Sequence, residues 1–411
     1  MARAPGERRR LALSFAYFAL LLASYYLIRP VRDALAAGSG AASIKYLATA
    51  VFVVMLAIVP LFGWLVARVR RSVLVPLTYG CFALQLLAFA ALFRLDPESV
   101  WAARVFYVWT TVFNLFVVSV FWSFMADIWR EEEGRRLFGV IAAGGSLGGI
   151  AGPALARALA GQVGTAGLTL IAAALLAATI VTIVLLGRER RTPPAAGAAA
   201  PEQPVGGAVL AGLWRLAASP FLLGIAALVA LGSLLGMIVY IELARAAATG
   251  FATAAARTAF YSERDLWVNG ASLVLQLAVV GPLALRFGVR PLLAGTAALA
   301  FAGFALLAAM PLPGMLLALN VLLRTTEFGI GKPNRDMLYT VVDAETKYKV
   351  KNVVDTVVYR GSDVLSGWAH AGLGLLGLSL AGIAAVAAAA ALALVAIAWA
   401  VGTGYRRRGG A

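Results

Sequence analysis

The sequence predicts an all-α polytopic membrane protein with twelve transmembrane helices in two pseudo-symmetric six-helix bundles. Hydrophobic residues make up 62% of the 411 residues and charged residues only 13%, against roughly 25% charged residues in an ordinary soluble domain. The mean hydropathy is +0.88. Long apolar runs and a partial internal repeat predict the number of helices and their division into two bundles.

Apolar runs long enough for a helix to cross a bilayer, about 20 residues, recur along the whole chain. We predict spans near residues 11–28, 46–67, 72–93, 100–126, 137–159, 164–187, 220–243, 261–285, 291–311, 313–331, 353–376 and 378–401. The first run follows basic residues, as in a signal peptide, but because so many spans follow it we expect it to be retained.

A partial repeat relates the two halves at one fixed offset of 216 residues. The matched positions are Asp127 with Asp343, Arg135 with Lys351, Gly145 with Gly361 and Ser146 with Ser362. Weak internal repeats are typical of membrane proteins built from two related bundles. We therefore predict bundles at 1–187 and 216–411, joined by a cytoplasmic linker at 188–215 whose Pro, Gly and Ala content favours a flexible tether.

The net charge of +16 would favour a nucleic-acid partner in a soluble protein, but the positions of the basic residues give another explanation. Most of the 35 Lys and Arg residues fall in segments that lie in the cytoplasm if both termini do, as the positive-inside rule requires. We therefore expect a multi-pass protein of a bacterial-type inner (plasma) membrane, with both termini cytoplasmic. Its surroundings are a lipid bilayer, and we expect a monomer with no nucleic-acid partner.

The sequence offers little for catalysis or metal binding. One cysteine and one histidine exclude a disulfide framework and a Cys/His metal cluster, and we interpret Cys81 and His370 as packing residues. No phosphate-binding GxxxxGKS or GxxxxGKT loop, HExxH motif or strand-associated GxSxG motif is present. We expect no enzyme activity, no cofactor and no metal.

Glycine and proline positions predict where helices pack or bend. Span five carries Gly144, Gly148 and Gly152 at a spacing of four, ahead of Pro153. Small residues at this spacing allow two helix backbones to approach closely, so we predict a tight helix contact and a kink at the proline. In the first span, Pro30 removes a backbone donor, and we predict that the helix breaks or kinks there.

Charged residues cluster at two places in this apolar chain. The first contains Arg29, Arg32, Asp33 and Lys45; the second is the polar stretch 332–363, with apolar sequence on both sides. A charge at mid-helix costs about 2.5–3.5 kcal/mol on insertion scales. Each cluster is therefore either a loop at the membrane surface with snorkelling side chains or part of a path for a charged solute. Within the second cluster, the surface interpretation fits Lys347 better.

Acidic residues in two predicted spans have a basic residue three positions away. Glu242 precedes Arg245, and Arg324 precedes Glu327. Residues three apart are neighbours on a helix, so both pairs can be purely structural.

Several Lys and Arg side chains together can replace the hydration of a polyphosphate, because guanidinium groups bind phosphate oxygens bidentately and lysine adds a mobile point charge. Two clusters, one per bundle, suit an anion at the membrane midplane. The candidate phosphate-binding residues are Arg29, Arg32, Lys45, Lys332, Arg335, Lys349 and Lys351. The candidate gating or orienting residues are Asp33, Asp127, Glu242, Asp336, Asp355 and Arg360.

These segments resemble the nucleotide (ATP/ADP) translocases of plastids and intracellular bacteria. YLIRPVRDALAAGSGAASIKYL is similar to that family's first loop, FWSFMADIWREEEGRRLFG to its Phe-Trp helix end, and KPNRDMLYTVVDAETKYKVKNVVDTV to its Lys-rich segment with Met-x-Tyr. The matching positions are Arg29, Arg32, Asp33, Lys45, Phe121, Trp122, Glu133, Arg136, Phe138, Glu242, Lys332, Arg335, Asp336, Met337, Tyr339, Asp343, Lys349, Lys351 and Asp355. The chain departs from the family in its Arg at several family Lys positions and in its high Ala and Gly content.

The resemblance implies a major-facilitator-like fold of twelve helices and counter-exchange of a small anionic, nucleotide-like substrate. Two alternatives stay open on the residues alone. A proton-coupled exporter of another organic anion would use Glu242 or Asp127 as its titrating group. A membrane scaffold or sensor would keep the fold without transport.

Overall fold

The computed structural model describes residues 5–68, 71–129, 131–188 and 212–409, and in these residues helices predominate and no strand occurs. Most of the predicted linker 188–215 lies outside the described residues. The helices are α1 Pro5–Gly38, α2 Ile44–Arg68, α3 Arg71–Leu95, α4 Val100–Ile128, α5 Glu131–Arg188, α6 Pro220–Gly250, α7 Ala254–Val274, α8 Val280–Phe287, α9 Val289–Ala309, α10 Pro313–Thr326, α11 Lys332–Met337, α12 Ala344–Val353, α13 Tyr359–Leu375 and α14 Leu380–Arg407.

Short irregular helices interrupt or join these elements. Two 3-10 helices lie at Ala41–Ser43 and Leu338–Val341, and three π-helical turns lie at Leu275–Val279, Glu327–Gly331 and Val354–Val358. The π-helical turns join α7 to α8, α10 to α11 and α12 to α13 without a break in helical backbone.

Nine helices of the described chain are long and apolar enough to cross a membrane by length and composition. One of them, Arg136–Gly187 within α5, contains Gly164 in a non-helical conformation, with φ 62° and ψ −169°. Glycine adopts a positive φ without strain, so one helix ends and the next begins here, at the boundary predicted between spans five and six. The all-α, multi-pass architecture is confirmed, and the count of twelve spans stays a prediction.

The first helix does not break at Pro30, one of the two outcomes predicted there, and a kink at this residue stays a prediction. Helix α1 continues through Pro30 to Gly38, so Arg29, Arg32 and Asp33 lie on a helix and not in an outer loop. Proline removes one backbone hydrogen bond, and burial of the turns on both sides of Pro30 offsets that loss. The chain turns only at Gly40, where φ is 91°.

The polar stretch 332–363 is also not a surface loop. Helical backbone extends from α10 to Val341, is interrupted at Val342 and Asp343, and resumes in α12. The sequence predicted that one membrane span ends at residue 331 and the next begins at residue 353, because apolar runs stop at charged residues. The charges lie on helices because several of them form ion pairs with each other.

The described residues form two compact units. The first contains residues 5–39, 54–188 and 247–266, and the second contains 40–53, 212–246 and 267–409. Helices α2 and α7 therefore each contribute to both units. The predicted bundle boundaries at 187 and 216 stay a prediction.

In the first unit, α1 packs against α5 through the glycines of the predicted tight contact. A Cβ atom added at Gly144, Gly148 or Gly152 would lie within 3.0 Å of a backbone oxygen of α1, a distance that real Cβ atoms essentially never show. The four-residue spacing places the three glycines on one face of α5. The prediction of a close helix contact is confirmed.

Aromatic side chains and two buried hydrogen bonds complete the core of the first unit. The Tyr17 hydroxyl donates to the Tyr79 hydroxyl at 2.8 Å, which donates to the Val117 carbonyl at 2.9 Å. Phe18 stacks on Phe121 with ring centroids 4.0 Å apart. Each buried hydroxyl thus has a partner, as burial in an apolar core requires.

In the second unit, α14 packs against α9 and α6 through glycines. A Cβ atom added at Gly402 would lie 2.6 Å from Cβ of Arg290, and one added at Gly224 would lie 2.5 Å from a methyl group of Val401. The Arg290 guanidinium lies 4.1 Å from the Trp399 ring centroid, a favourable cation–π distance. Small residues thus set the helix spacing in this unit as well.

Candidate functional site

The first unit contains a buried group of charged residues from α1 and α7, two helices of membrane-spanning character. We call it the α1–α7 cluster; its members are Arg29, Arg32, Asp33, Arg264 and Asp265. Asp33 and Asp265 are each 1% exposed, Arg264 is 3% exposed and Arg29 is 9% exposed. Charges this deeply buried are tolerated in proteins only when they are paired and hydrogen-bonded.

The hydrogen bonds of the α1–α7 cluster tie the two helices together. Asp33 Oδ1 accepts from Arg32 Nε at 2.9 Å and Nη2 at 2.6 Å, while Asp33 Oδ2 accepts from Arg264 Nη2 at 2.7 Å. Arg264 also donates to Asp265 Oδ1, from Nε at 3.0 Å and from Nη2 at 2.7 Å. Arg29 Nε lies 3.7 Å from Asp265 Oδ2. Arg264 therefore bridges Asp33, 231 residues away in the chain, and its neighbour Asp265.

Each guanidinium of the α1–α7 cluster also lies over a tyrosine ring. The pairs are Arg29 with Tyr26 at 5.5 Å, Arg32 with Tyr107 at 5.0 Å and Arg264 with Tyr261 at 4.8 Å. Cation–π contacts strengthen when they are desolvated. Two buried oxygen atoms of this region, Tyr261 Oη and Asp265 Oδ2, have no hydrogen-bond partner within the described residues.

Arg264 and Asp265 are absent from the residues that the sequence predicts for the site. A signal that could have found them is the Arg-Asp dipeptide, which occurs in the chain at 32–33, 264–265 and 335–336. The first and third of these dipeptides belong to the predicted clusters. The second lies in neither predicted cluster.

Lys45 does not join Arg29 and Arg32 in the α1–α7 cluster, contrary to the predicted grouping. It belongs to the second unit, where its ammonium lies 4.6 Å from the Trp368 ring centroid and 5.0 Å from that of Tyr46. Trp368 Nε1 donates to Thr49 Oγ1 at 3.3 Å. The reason is that α2 starts in the second unit, which proximity along the sequence does not reveal.

The polar stretch forms a second group of charges, within the second unit. We call it the α11–α12 cluster; its members are Glu327, Lys332, Arg335, Asp336, Lys351 and Asp355. Arg335 Nη2 donates to Glu327 Oε1 at 2.9 Å, and Lys351 Nζ lies 2.8 Å from Asp336 Oδ1. Lys332 and Asp355 are exposed. Glu327 thus pairs with Arg335 and not with Arg324.

Two π-helical turns place the acidic residues of the α11–α12 cluster. Glu327 opens one turn and Asp355 lies in the other. Such turns are rare and frequently occur at functional sites. Gln276 Nε2 donates to the Phe328 carbonyl at 3.0 Å, which satisfies an acceptor of the first turn.

Two buried polar atoms lie on the same helical segment as the α11–α12 cluster. Tyr339 is 2% exposed and Asn334 is 1% exposed, and neither Tyr339 Oη nor Asn334 Oδ1 has a hydrogen-bond partner within the described residues. Buried polar groups in native proteins normally have partners. The Lys351 ammonium lies 6.0 Å from the Tyr339 ring centroid.

The lone histidine is more than a packing residue. His370 Nε2 lies 2.6 Å from Glu242 Oε1. The predicted pair of Glu242 with Arg245 is confirmed, since Arg245 Nη1 donates to both carboxylate oxygens at 3.0 and 3.2 Å. Cys81, in contrast, is exposed on α3, so its predicted packing role is wrong.

The remaining predicted residues lie apart from these contacts. Arg360 Nη1 donates to Asp363 Oδ2 at 3.3 Å. Lys349 is half-buried on α12, and Asp127 is exposed on the last turn of α4. Asp343 caps α12: the Thr346 N–H donates to Asp343 Oδ1 at 2.9 Å and lowers the pKa of that carboxyl.

The architecture is similar to that of several solved transporters. A POT-family transporter, PepTSo, aligns over 99% of this chain and 98% of its own, with a TM-score of 0.66 and 12% identity. A bacterial homologue of the iron transporter ferroportin aligns over 98% and 100%, with a TM-score of 0.65 and 14% identity. The nucleoside transporter NupG aligns over 98% and 99%, with a TM-score of 0.58 and 15% identity.

The chain has the major-facilitator fold. At these identities the similarity establishes the fold alone. No protein-family model and no curated protein matches the sequence. Function therefore has to be argued from the two charged clusters.

Proposed function

We propose that the protein is a secondary transporter that exchanges nucleotides of the ATP/ADP type, or related phosphorylated anions, by alternating access. The observation that carries the proposal is the α1–α7 cluster, which holds two buried arginines, the partly buried Arg32 and two buried aspartates in helices of membrane-spanning character. The major-facilitator fold supports transport, and the sequence resemblance supports a nucleotide-like substrate. The proposed membrane is a bacterial-type inner membrane with both termini cytoplasmic.

A phosphorylated anion suits the α1–α7 cluster for electrostatic reasons. Burying a guanidinium is costly unless anions surround it, and here arginine outnumbers aspartate. A phosphate group carries nearly two negative charges and offers several acceptor oxygens to Arg forks. In this proposal Arg29 and Arg32 bind phosphate, and Asp33 orients them when no anion is present.

The α11–α12 cluster, within the second unit, supplies further candidate anion-binding residues in this proposal. Arg335 and Lys351 are held by Glu327 and Asp336, so they are positioned before any anion binds. Lys332, Lys349 and the more distant Lys45 add mobile positive charge, and Tyr339 and Asn334 offer further polar atoms. Asp336, Asp355 and Arg360 act in this proposal as orienting residues.

The ion pairs also favour exchange over one-way transport. Separating α7 from α1 requires breaking the Arg264–Asp33 pair, and an unpaired buried charge costs about 3–5 kcal/mol. A bound anion would replace the lost carboxylate as a partner for arginine. We therefore propose that substrate is needed for the conformational change in both directions, which is counter-exchange.

The test is transport by purified protein in proteoliposomes loaded with one phosphorylated anion and supplied outside with another in labelled form. The set of anions spans ATP, ADP, other nucleotides and phosphorylated sugars. Lys351→Gln should lower exchange at least tenfold, whereas Lys347→Gln, one turn away on the same helix, should leave it unchanged. Exchange that is absent with every phosphorylated anion would reject the proposal and leave the two alternatives, a proton-coupled exporter of another organic anion and a membrane scaffold or sensor.

A further inference from the structure

The second unit contains a hydrogen-bonded acid–imidazole pair that belongs to neither of the two charged clusters. Glu242 of α6 and His370 of α13 are each 5% exposed at the side chain, with 2.6 Å between Oε1 and Nε2. His370 is the only histidine in the chain. Glu242 lies in a helix long and apolar enough to cross a membrane, and His370 lies in the predicted span 353–376; ionisable side chains inside membrane spans are commonly functional.

The charged groups around this pair come from several helices. On α6, Arg245 donates to Glu242 through a side chain that is 53% exposed. From α2, Lys45 lies over Trp368, two residues before His370. Further along the same two helices, Ser233 donates to Asp363 at 2.5 Å, and Asp363 also interacts with Arg360 and with Arg324 of α10.

The hydrogen bond between the two side chains determines where protons can bind in the pair. A direct hydrogen bond between Nε2 and Oε1 contains one proton, so a neutral imidazole must carry its hydrogen on Nε2 if Glu242 is ionised. A second proton then binds at Nδ1 and gives an imidazolium–carboxylate pair. This step changes the charge of the Glu242–His370 pair from −1 to 0 with no other bond made or broken.

A purely structural partner for Glu242 would not need to be a histidine. Arg245 already neutralises the carboxylate, and any neutral donor could complete its hydrogen bonds. Imidazole is the side chain that ordinarily changes charge between about pH 5 and 8.

We infer that the Glu242–His370 pair is a proton-binding site and that it makes transport proton-linked. The second proton binds at Nδ1 of the imidazole, and the Glu242 carboxylate, hydrogen-bonded to Nε2, balances the added positive charge. The first half of this inference stands without the proposed function. The second half, the link to transport, rests on it.

Proton binding can be tested without any substrate, because one histidine gives one imidazole signal. In protein labelled with ¹⁵N-histidine, the two ring nitrogens distinguish the neutral from the doubly protonated ring. If the pair binds a proton, acidification should convert the ring-nitrogen signals from those of a neutral ring to those of a doubly protonated ring; Glu242→Gln should alter that conversion, and Ser366→Ala, one turn away on α13, should not. Signals of a single protonation state throughout the acidification would overturn the inference.

The link to transport is tested with a pH-sensitive dye inside the proteoliposomes. Adding the exchanged anion should move protons in the wild type and in Ser366→Ala, and His370→Gln should lose at least 90% of that proton movement. Anion exchange without proton movement in the wild type would overturn the link and leave the proposed function intact. An absence of exchange with every anion would instead reject the proposed function, while the imidazole titration still decides whether the pair binds a proton.

Discussion

Replacing Asp33 by Asn should destabilise the protein more than any other single charge removal in the first unit. Asp33 accepts three hydrogen bonds of 2.6 to 2.9 Å from Arg32 and Arg264. Removing one partner of a buried ion pair costs about 3–5 kcal/mol. Because Arg264 keeps Asp265 as a second partner, we expect a loss near the lower end, about 3 kcal/mol.

The matched control is Glu263→Gln, which removes an ion pair at the neighbouring position of α7. Arg157 and Glu263 lie 3.5 Å apart with both side chains about half exposed, so this pair should contribute at most about 1 kcal/mol. Unfolding free energies are measured by titrating detergent-solubilised protein with SDS and following tryptophan fluorescence. If Asp33→Asn costs no more than Glu263→Gln, the buried cluster does not have the strength argued for it.

Two further predictions concern packing and capping. Gly148→Ala should cost about 1–3 kcal/mol, because a methyl group meets the backbone of α1, whereas Gly139→Ala has open space around it and should be neutral or slightly stabilising; the same SDS titration compares them, and equal effects would contradict the close contact. The cap hydrogen bond lowers the pKa of the Asp343 carboxyl, so its stabilisation of α12 is present above the ordinary aspartate pKa and is lost as pH falls through the lowered value. The protection factor of the Thr346 amide, which corrects the exchange rate for its intrinsic pH dependence, should therefore fall on acidification in the wild type but stay nearly constant with pH in Asp343→Asn, which keeps an uncharged cap; equal pH dependence of the protection factor in both would show that the carboxylate is not the cap.

The helical architecture was accessible from the sequence because it depends on local patterns. Long apolar runs identify membrane helices, and glycines four residues apart at 144, 148 and 152 identify a close contact. Both patterns depend only on residues that are close together in the sequence. The helix does not break at Pro30, because tertiary packing retains a helical conformation that the proline disfavours locally.

The charged clusters could be predicted only in part, because some of their residues form ion pairs with residues that are distant in the sequence. Arg29, Arg32 and Asp33 were identified, but Arg264 and Asp265 lie more than 200 residues further on and carry no local sign of their contact with α1. Lys45 was grouped with its sequence neighbours and belongs to another unit. His370 was interpreted as a packing residue because its partner, Glu242, is distant in the sequence and only the fold brings the two side chains together.

The central claim is that ion pairs lock the empty carrier, so that movement requires a bound anion. The most direct measurement is efflux of labelled ATP, or of whichever phosphorylated anion is exchanged, from proteoliposomes into buffer with and without unlabelled anion outside. The account predicts efflux at least tenfold faster with external anion than without it. Equal efflux into anion-free buffer would contradict the claim, because the empty carrier would then return without a substrate to replace Asp33 at Arg264.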